Sequence, residues 1–176
     1  MSVIETTPQQ LIPAGTWVVD PVHTTVGFQV TETTDLFSTI NGRFTEVEGR
    51  LESGETPSVT GETPSVTGTV RVASLRTDNE QRDAHLVSPD FLEGEKYPEI
   101  HFASKSIEQI EGERFLVRGD VTVKDTQFEV ELEARRRGLG QGKLGDERLL
   151  VDAKGSFDWG TPAVELNISV SAARKA

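Results

Sequence analysis

From Phe115 to Val123 every second residue is apolar or glycine, and the positions between them are Leu116, Arg118, Asp120 and Thr122. A period of two is the geometry of a strand, whose successive side chains point to opposite faces, here with one face buried. The alternation recurs at 128–136, where Phe128, Val130, Leu132 and Ala134 oppose Glu129, Glu131, Glu133 and Arg135. It continues through Leu149, Val151, Ala153, Gly155 and Phe157, and again through Val164, Leu166, Ile168 and Val170. Earlier, Val26, Phe28 and Val30 share a face, as do Val70, Val72 and Ser74. Residues 40–51 read as one strand in which Gly42 and Gly49 allow bends or bulges, and 99–108 as another, with Ile100 and Phe102 on one side.

Turn residues separate these runs at 111–113, at Lys124-Asp125-Thr126 and at 160–162, and the glycine-rich stretch from Gly138 to Gly145 reads as a longer hairpin loop. About eight short strands in one chain make an all-β domain. Closing the sheet into an antiparallel β-barrel removes its edges and leaves an apolar interior, although a β-sandwich fits the same periodicity. Two segments interrupt the pattern. Residues 32–38 read as a short helix or turn packing Leu36 and Phe37. In the 78–88 connection, residues 78–87 read as a short helix, capped by Asp78 or Asn79, with Ala84 and Leu86 inward. Ser88-Pro89 ends it, and Phe91 and Leu92 follow as an apolar knob.

Gly-Glu-Thr-Pro-Ser-Val-Thr occurs twice in succession, at 54–60 and 61–67. An odd insertion inside a strand would turn every later side chain to the wrong face, so the duplication is expected in the loop joining 40–53 to 68–76.

The 176 residues fit one large domain: a barrel over 15–176 preceded by a loose arm over 1–14 that carries Pro8 and Pro13. A net charge of −11 repels phosphate backbones and argues against a nucleic-acid partner and against docking on anionic lipid. There is no cysteine, which removes disulfides, thiolate metal sites and a cysteine nucleophile. The first residues have neither a basic nor an apolar signal region, and no run is long and apolar enough for a membrane helix, so a cytoplasmic protein without a stable membrane anchor is expected.

His23, His85 and His101 lack the local spacing of metal ligands, and no activated serine stands near the Asp20/His23 pair, so no metal or catalytic site is expected. Arg82, Asp83 and His85 form the best polar group. Arg82 or His85 could touch a ligand head group at a barrel mouth, or Arg82 could pin the helical segment by pairing with carboxylates.

The chain resembles the YceI-like polyisoprenoid-binding proteins. Trp17-Val18-Val19-Asp20-Pro21-Val22-His23-Thr24 is similar to the family's opening piece, and Val26-Gly27-Phe28-Gln29-Val30 and Asn41-Gly42-Arg43-Phe44 follow in order. The most specific stretch runs from Thr77 to Leu92, followed by Lys96-Tyr97-Pro98-Glu99-Ile100-His101-Phe102 and by Gly119-Asp120-Val121-Thr122-Val123. Departures fall at Thr31, Leu92, Lys124-Asp125 and 155–160. The resemblance spans about 16–172 and implies a lipocalin-like barrel around a long apolar molecule, an isoprenoid lipid or isoprenoid quinone, with no other cofactor and no enzymatic activity. Candidate ligand-binding residues are Phe28, Val30, Phe37, Phe44, Arg82, His85, Leu86, Phe91, Leu92, Phe102, Val117, Val121, Phe128 and Trp159. Two alternatives stay open: a filled-barrel interaction scaffold, with a homodimer as one form, and an enzyme using the cavity.

Overall fold

The computed structural model describes residues 12–32, 38–53, 64–143, 145–158 and 163–175. Their strands are β1 (Gly15–Val19), β2 (Thr25–Glu32), β3 (Ser38–Phe44), β4 (Val47–Ser53), β5 (Ser65–Arg71), β6 (Leu75–Arg76), β7 (Glu99–Glu111), β8 (Arg114–Val123), β9 (Thr126–Gln141), β10 (Glu147–Asp158) and β11 (Ala163–Arg174), with one helix, α1 (Glu80–Val87). Every pairing is antiparallel, and β1 pairs with both β4 and β11, so the sheet closes into a ring. The first six strands are three long segments, each broken once. β1 and β2 form one row, β3 and β4 the next, β5 and β6 the third, and β7 to β11 complete an eight-stranded meander barrel.

The expected single strand over 40–51 is therefore two. At Thr45 and Glu46 the ladder stops: the Thr45 amide donates to Ser74 O and the Arg71 amide to Glu46 O, which turns β4 toward β5 and leaves β3 to β6. The alternation shifts phase here: Phe44 and Val47 both face inward although they stand an odd number of positions apart, so the inward set passes from even to odd positions. Similarly, the alternation read through Val70, Val72 and Ser74 ends at Arg71. Residues Val72–Ser74 form a 3-10 turn in which Val72 and Ser74 are buried.

The break between β1 and β2 is stitched by side chains. The Asp20 amide donates to Ser171 O, and Thr24 Oγ1 accepts from the Ser171 amide at 3.1 Å. Here β11 changes partner from β2 to β1, and these bonds satisfy the backbone groups that the ladder leaves over.

Three further expectations change. The first half of Gly138–Gly145 is strand: β9 runs to Gln141, a bulge lies opposite Leu150/Val151, and β10 begins at Glu147. A Cβ on Gly138 would meet Leu150 Cδ1 at 3.5 Å, so that side chain lies across the glycine. The β8–β9 hairpin turns on Lys124-Asp125, with Val123 paired to Thr126. The expected arm is packed from Ile12 onward: Ile12 is buried, Ser53 Oγ donates to its carbonyl at 3.0 Å, and Trp17 Nε1 donates to Pro13 O at 2.9 Å. The expected turn over 32–38 falls largely on residues 33–37, outside the described residues.

The second copy of the heptapeptide is not all loop. Its Ser65-Val66-Thr67 opens β5, opposite Glu52, Leu51 and Arg50. Because the copies are identical, deleting 61–67 still leaves Ser-Val-Thr immediately before Gly68. The deletion is expected to change stability by less than about 1 kcal/mol, the scale of the loop-closure difference. Urea denaturation checks this, and a loss of several kcal/mol would mean that the first copy is structurally required.

Antiparallel pairing sorts the connections to two ends. The lower end holds Ile12, the β7–β8 and β9–β10 turns and the last residues of β11. The upper end holds the β8–β9 turn and the long connection carrying α1. Asn79 caps α1, its side chain accepting from the Arg82 amide at 3.0 Å. Leu86 and Val87 pack against the core and Leu92 is buried, whereas Ala84 is exposed, contrary to expectation, and Phe91 is about one-third exposed (37%) beside His85. Lys124 Nζ lies 3.5 Å from Glu93, tying this connection to the β8–β9 turn.

Candidate functional site

Inside the ring lies a cavity of about 330 Å³ whose lining is almost wholly apolar. Eight of the fourteen candidate residues border it: Phe28, Val30, Phe44, Leu86, Leu92, Phe102, Val117 and Val121. Phe128 stands instead at the upper end against Phe157, ring centroids 5.5 Å apart, and Phe157 is the one that reaches the cavity.

Arg82, His85 and Phe91 do not border the cavity either. The Arg82 guanidinium donates to Thr77 Oγ1 at 2.9 Å and to Thr77 O at 2.7 Å. Asp83 accepts from the Thr77 amide at 2.8 Å and from its hydroxyl at 2.5 Å. Both side chains thus fasten the first turn of α1 to the end of β6, through Thr77 and not through the carboxylate pairing expected for Arg82. His85 lies 3.6 Å from Asp90 and edge-on to Phe91, outside the barrel. Phe37 and Trp159 lie outside the described residues.

Residues that the sequence did not single out as lining close the lower end. Trp17 is 0% exposed, paired with Leu51 on β4 and Arg174 on β11, and it borders the cavity together with Phe115 and Leu149. The alternation put Phe115 and Leu149 on inward faces, a signal sufficient to include them. Trp17 sits in a strand of five residues, too short for periodicity to fix its face.

The histidines stay apart. His23 Nδ1 lies 2.8 Å from Asp20 on the outer wall, and His101, also exposed, shares a 3.0 Å hydrogen bond with Thr69. Among the described residues no three His, Asp or Glu side chains gather as metal ligands. No described helix is long and apolar enough to cross a membrane. A larger groove of about 650 Å³ lies on the outer wall, but it is charged and open, with Arg137 3.4 Å from Asp152 and Arg114 paired with Glu133. Such a surface suits water; the interior suits hydrocarbon.

Asp20 is the most perturbed carboxylate. Arg148 at 2.7 Å, then His23, hold it well below the usual carboxylate range. A depressed folded-state pKa contributes stability that is complete above the unfolded value of about 3.9 and fades as pH falls through and below it. The stability difference between wild type and Asp20→Asn is therefore expected to shrink from pH 5 to pH 2. Denaturant titrations across that range check it, and a constant difference would show that the charge of Asp20 adds nothing.

A family model described as a YceI-like domain matches residues 17–172. The UPF0312 protein of Photorhabdus laumondii is 38% identical over 89 residues, 51% of this chain and 46% of that protein, so the chain spans about half the length of the curated relatives it matches. Among solved structures, a Campylobacter jejuni YceI protein is 25% identical with a TM-score of 0.69, covering 82% of this chain and 91% of its own. A polyisoprenoid binding domain from Saccharophagus degradans is 11% identical with a TM-score of 0.60, covering 90% and 98%. These likenesses agree with the closed lipocalin-like barrel expected from the sequence.

Proposed function

Because the chain belongs to the YceI-like domain family, we propose that it binds a long apolar molecule, of polyisoprenoid or isoprenoid-quinone type, with the tail in the barrel interior. The observation that carries this reading is the cavity, closed below by Trp17 and lined by hydrocarbon. Left empty, a void of about 330 Å³ would cost about 8 kcal/mol at the scaling found for cavities in protein cores. An apolar tail offsets that cost and gains about 0.8 kcal/mol for each methylene removed from water. The polyisoprenoid-binding domain of Saccharophagus degradans supplies a precedent for such a ligand on this fold.

The action is sequestration, not turnover. His23, His85 and His101 are exposed, and among the described residues the almost wholly apolar lining presents no acid–base pair to move a proton. The filled-barrel scaffold lacks a comparable argument, since its interior would hold no void. Mass spectrometry of an organic extract of the purified protein tests the proposal. A stoichiometric isoprenoid or other long-chain lipid is the expected result. An extract without lipid, together with no uptake of added lipid, would overturn it in favour of the scaffold.

A further inference from the structure

Among the described residues five glycines stand on inward faces of the barrel, and four of them are covered. A Cβ on Gly42 would collide with the Phe28 ring, and one on Gly119 would lie 2.8 Å from the Phe102 ring. On Gly155 it would lie 2.8 Å from Leu132 Cδ2, and on Gly49 it would lie 2.8 Å from Val19 Cγ2. In each case a large neighbour folds over the bare backbone, the packing by which side chains compensate glycine in sheets. Gly68 differs. The nearest atom to its added Cβ is Glu48 O at 3.7 Å, an ordinary contact, and no described side chain lies within 4 Å of it. Its φ is outside the left-handed region, so the conformation does not demand glycine. The covered glycines Gly42, Gly119 and Gly155 do not border the cavity, whereas Gly68 and its ladder partner Gly49 do.

We infer that Gly68 forms an open bay in the cavity wall that sets how much of the apolar ligand is enclosed. This rests on the binding function proposed above and adds a length limit to it. A volume of about 330 Å³ holds about ten methylene-sized units, each taken as the ~30 Å³ of a liquid water. The cavity thus encloses about two isoprene units of a tail lying against the backbone of Gly68, and the remainder of a longer molecule emerges from the barrel.

Equilibrium dialysis of the full chain against 1-alkanols of eight to sixteen carbons tests this, with bound alkanol and any co-purified lipid quantified by mass spectrometry. For wild type, affinity should rise about fourfold per carbon and level off near ten to twelve carbons. Gly68→Leu should fold, level off about four carbons earlier and bind dodecanol about 250-fold more weakly. Gly68→Ala should shift the limit by about one carbon. Variants that fold and keep the wild-type length profile would overturn the role of Gly68 while leaving the binding function standing. A failure of both variants to fold would also overturn it, because the bay would then not be free space. Wild type that retains neither alkanol nor lipid would instead overturn the binding function itself.

Discussion

Trp17→Ala is expected to lower stability by about 3–5 kcal/mol, the range for removing a buried Trp or Phe from a core. In a chain of this size that corresponds to a fall of roughly 6–20 °C in the thermal midpoint. The reason is position as well as volume. Trp17 is fully buried at the row that closes the ring, between Leu51 of β4 and Arg174 of β11. Its Nε1 donates to Pro13 O, which holds the chain leading from the buried Ile12, and the Arg174 guanidinium lies 6.0 Å from the ring centroid. Alanine would remove the cavity floor and the hydrogen bond together. Trp17→Phe separates the two effects: it keeps most of the volume and loses only the hydrogen bond, for a cost of about 1–2 kcal/mol. A loss under 1 kcal/mol for Trp17→Ala would show that the ladders alone hold the closure.

The contrast between Trp17 and the strands across the barrel shows what the sequence makes legible. β8 to β11 are long, each buries one face, and Phe115, Val117, Val121, Leu132 and Leu149 announce that face by alternation. Closure depends on β1, where five residues carry too few repeats to reveal a face, and on a partner change at Ser171 that has no periodic signature. Glycine misleads in both directions. Gly138-Leu139-Gly140-Gln141 reads as a loop by composition yet ends β9, paired with β10, with Leu150 lying across Gly138. The break at Thr45-Glu46 carries no glycine, and its signal is a shift of phase between Phe44 and Val47, easily missed because glycines occupy the inward positions Gly42 and Gly49 on either side. The polar group around Arg82 was legible as a cluster. Its target was not, because Thr77 receives its bonds through a hydroxyl and a carbonyl, and a carbonyl is common to every residue.

Gly119→Ala should be among the most damaging one-carbon changes in the barrel, costing about 3 kcal/mol, the upper part of the range for overpacking a core. Its added Cβ would overlap Ala103 O, a backbone atom of the neighbouring β7 ladder, as well as the Phe102 ring. A ring can rotate away, but a ladder carbonyl moves only if β7 and β8 separate. Gly42→Ala provides the comparison, because the three nearest atoms to its Cβ all belong to the Phe28 side chain. Trimming Phe28 to Leu should therefore recover much of the Gly42→Ala loss, giving a coupling above about 0.5 kcal/mol in a double-mutant cycle. Trimming Phe102 to Leu should leave most of the Gly119→Ala loss in place. Equal rescue at both sites would mean that the β7–β8 ladder yields as readily as a side chain, and that covering rings, not the backbone, fix the glycines in this wall.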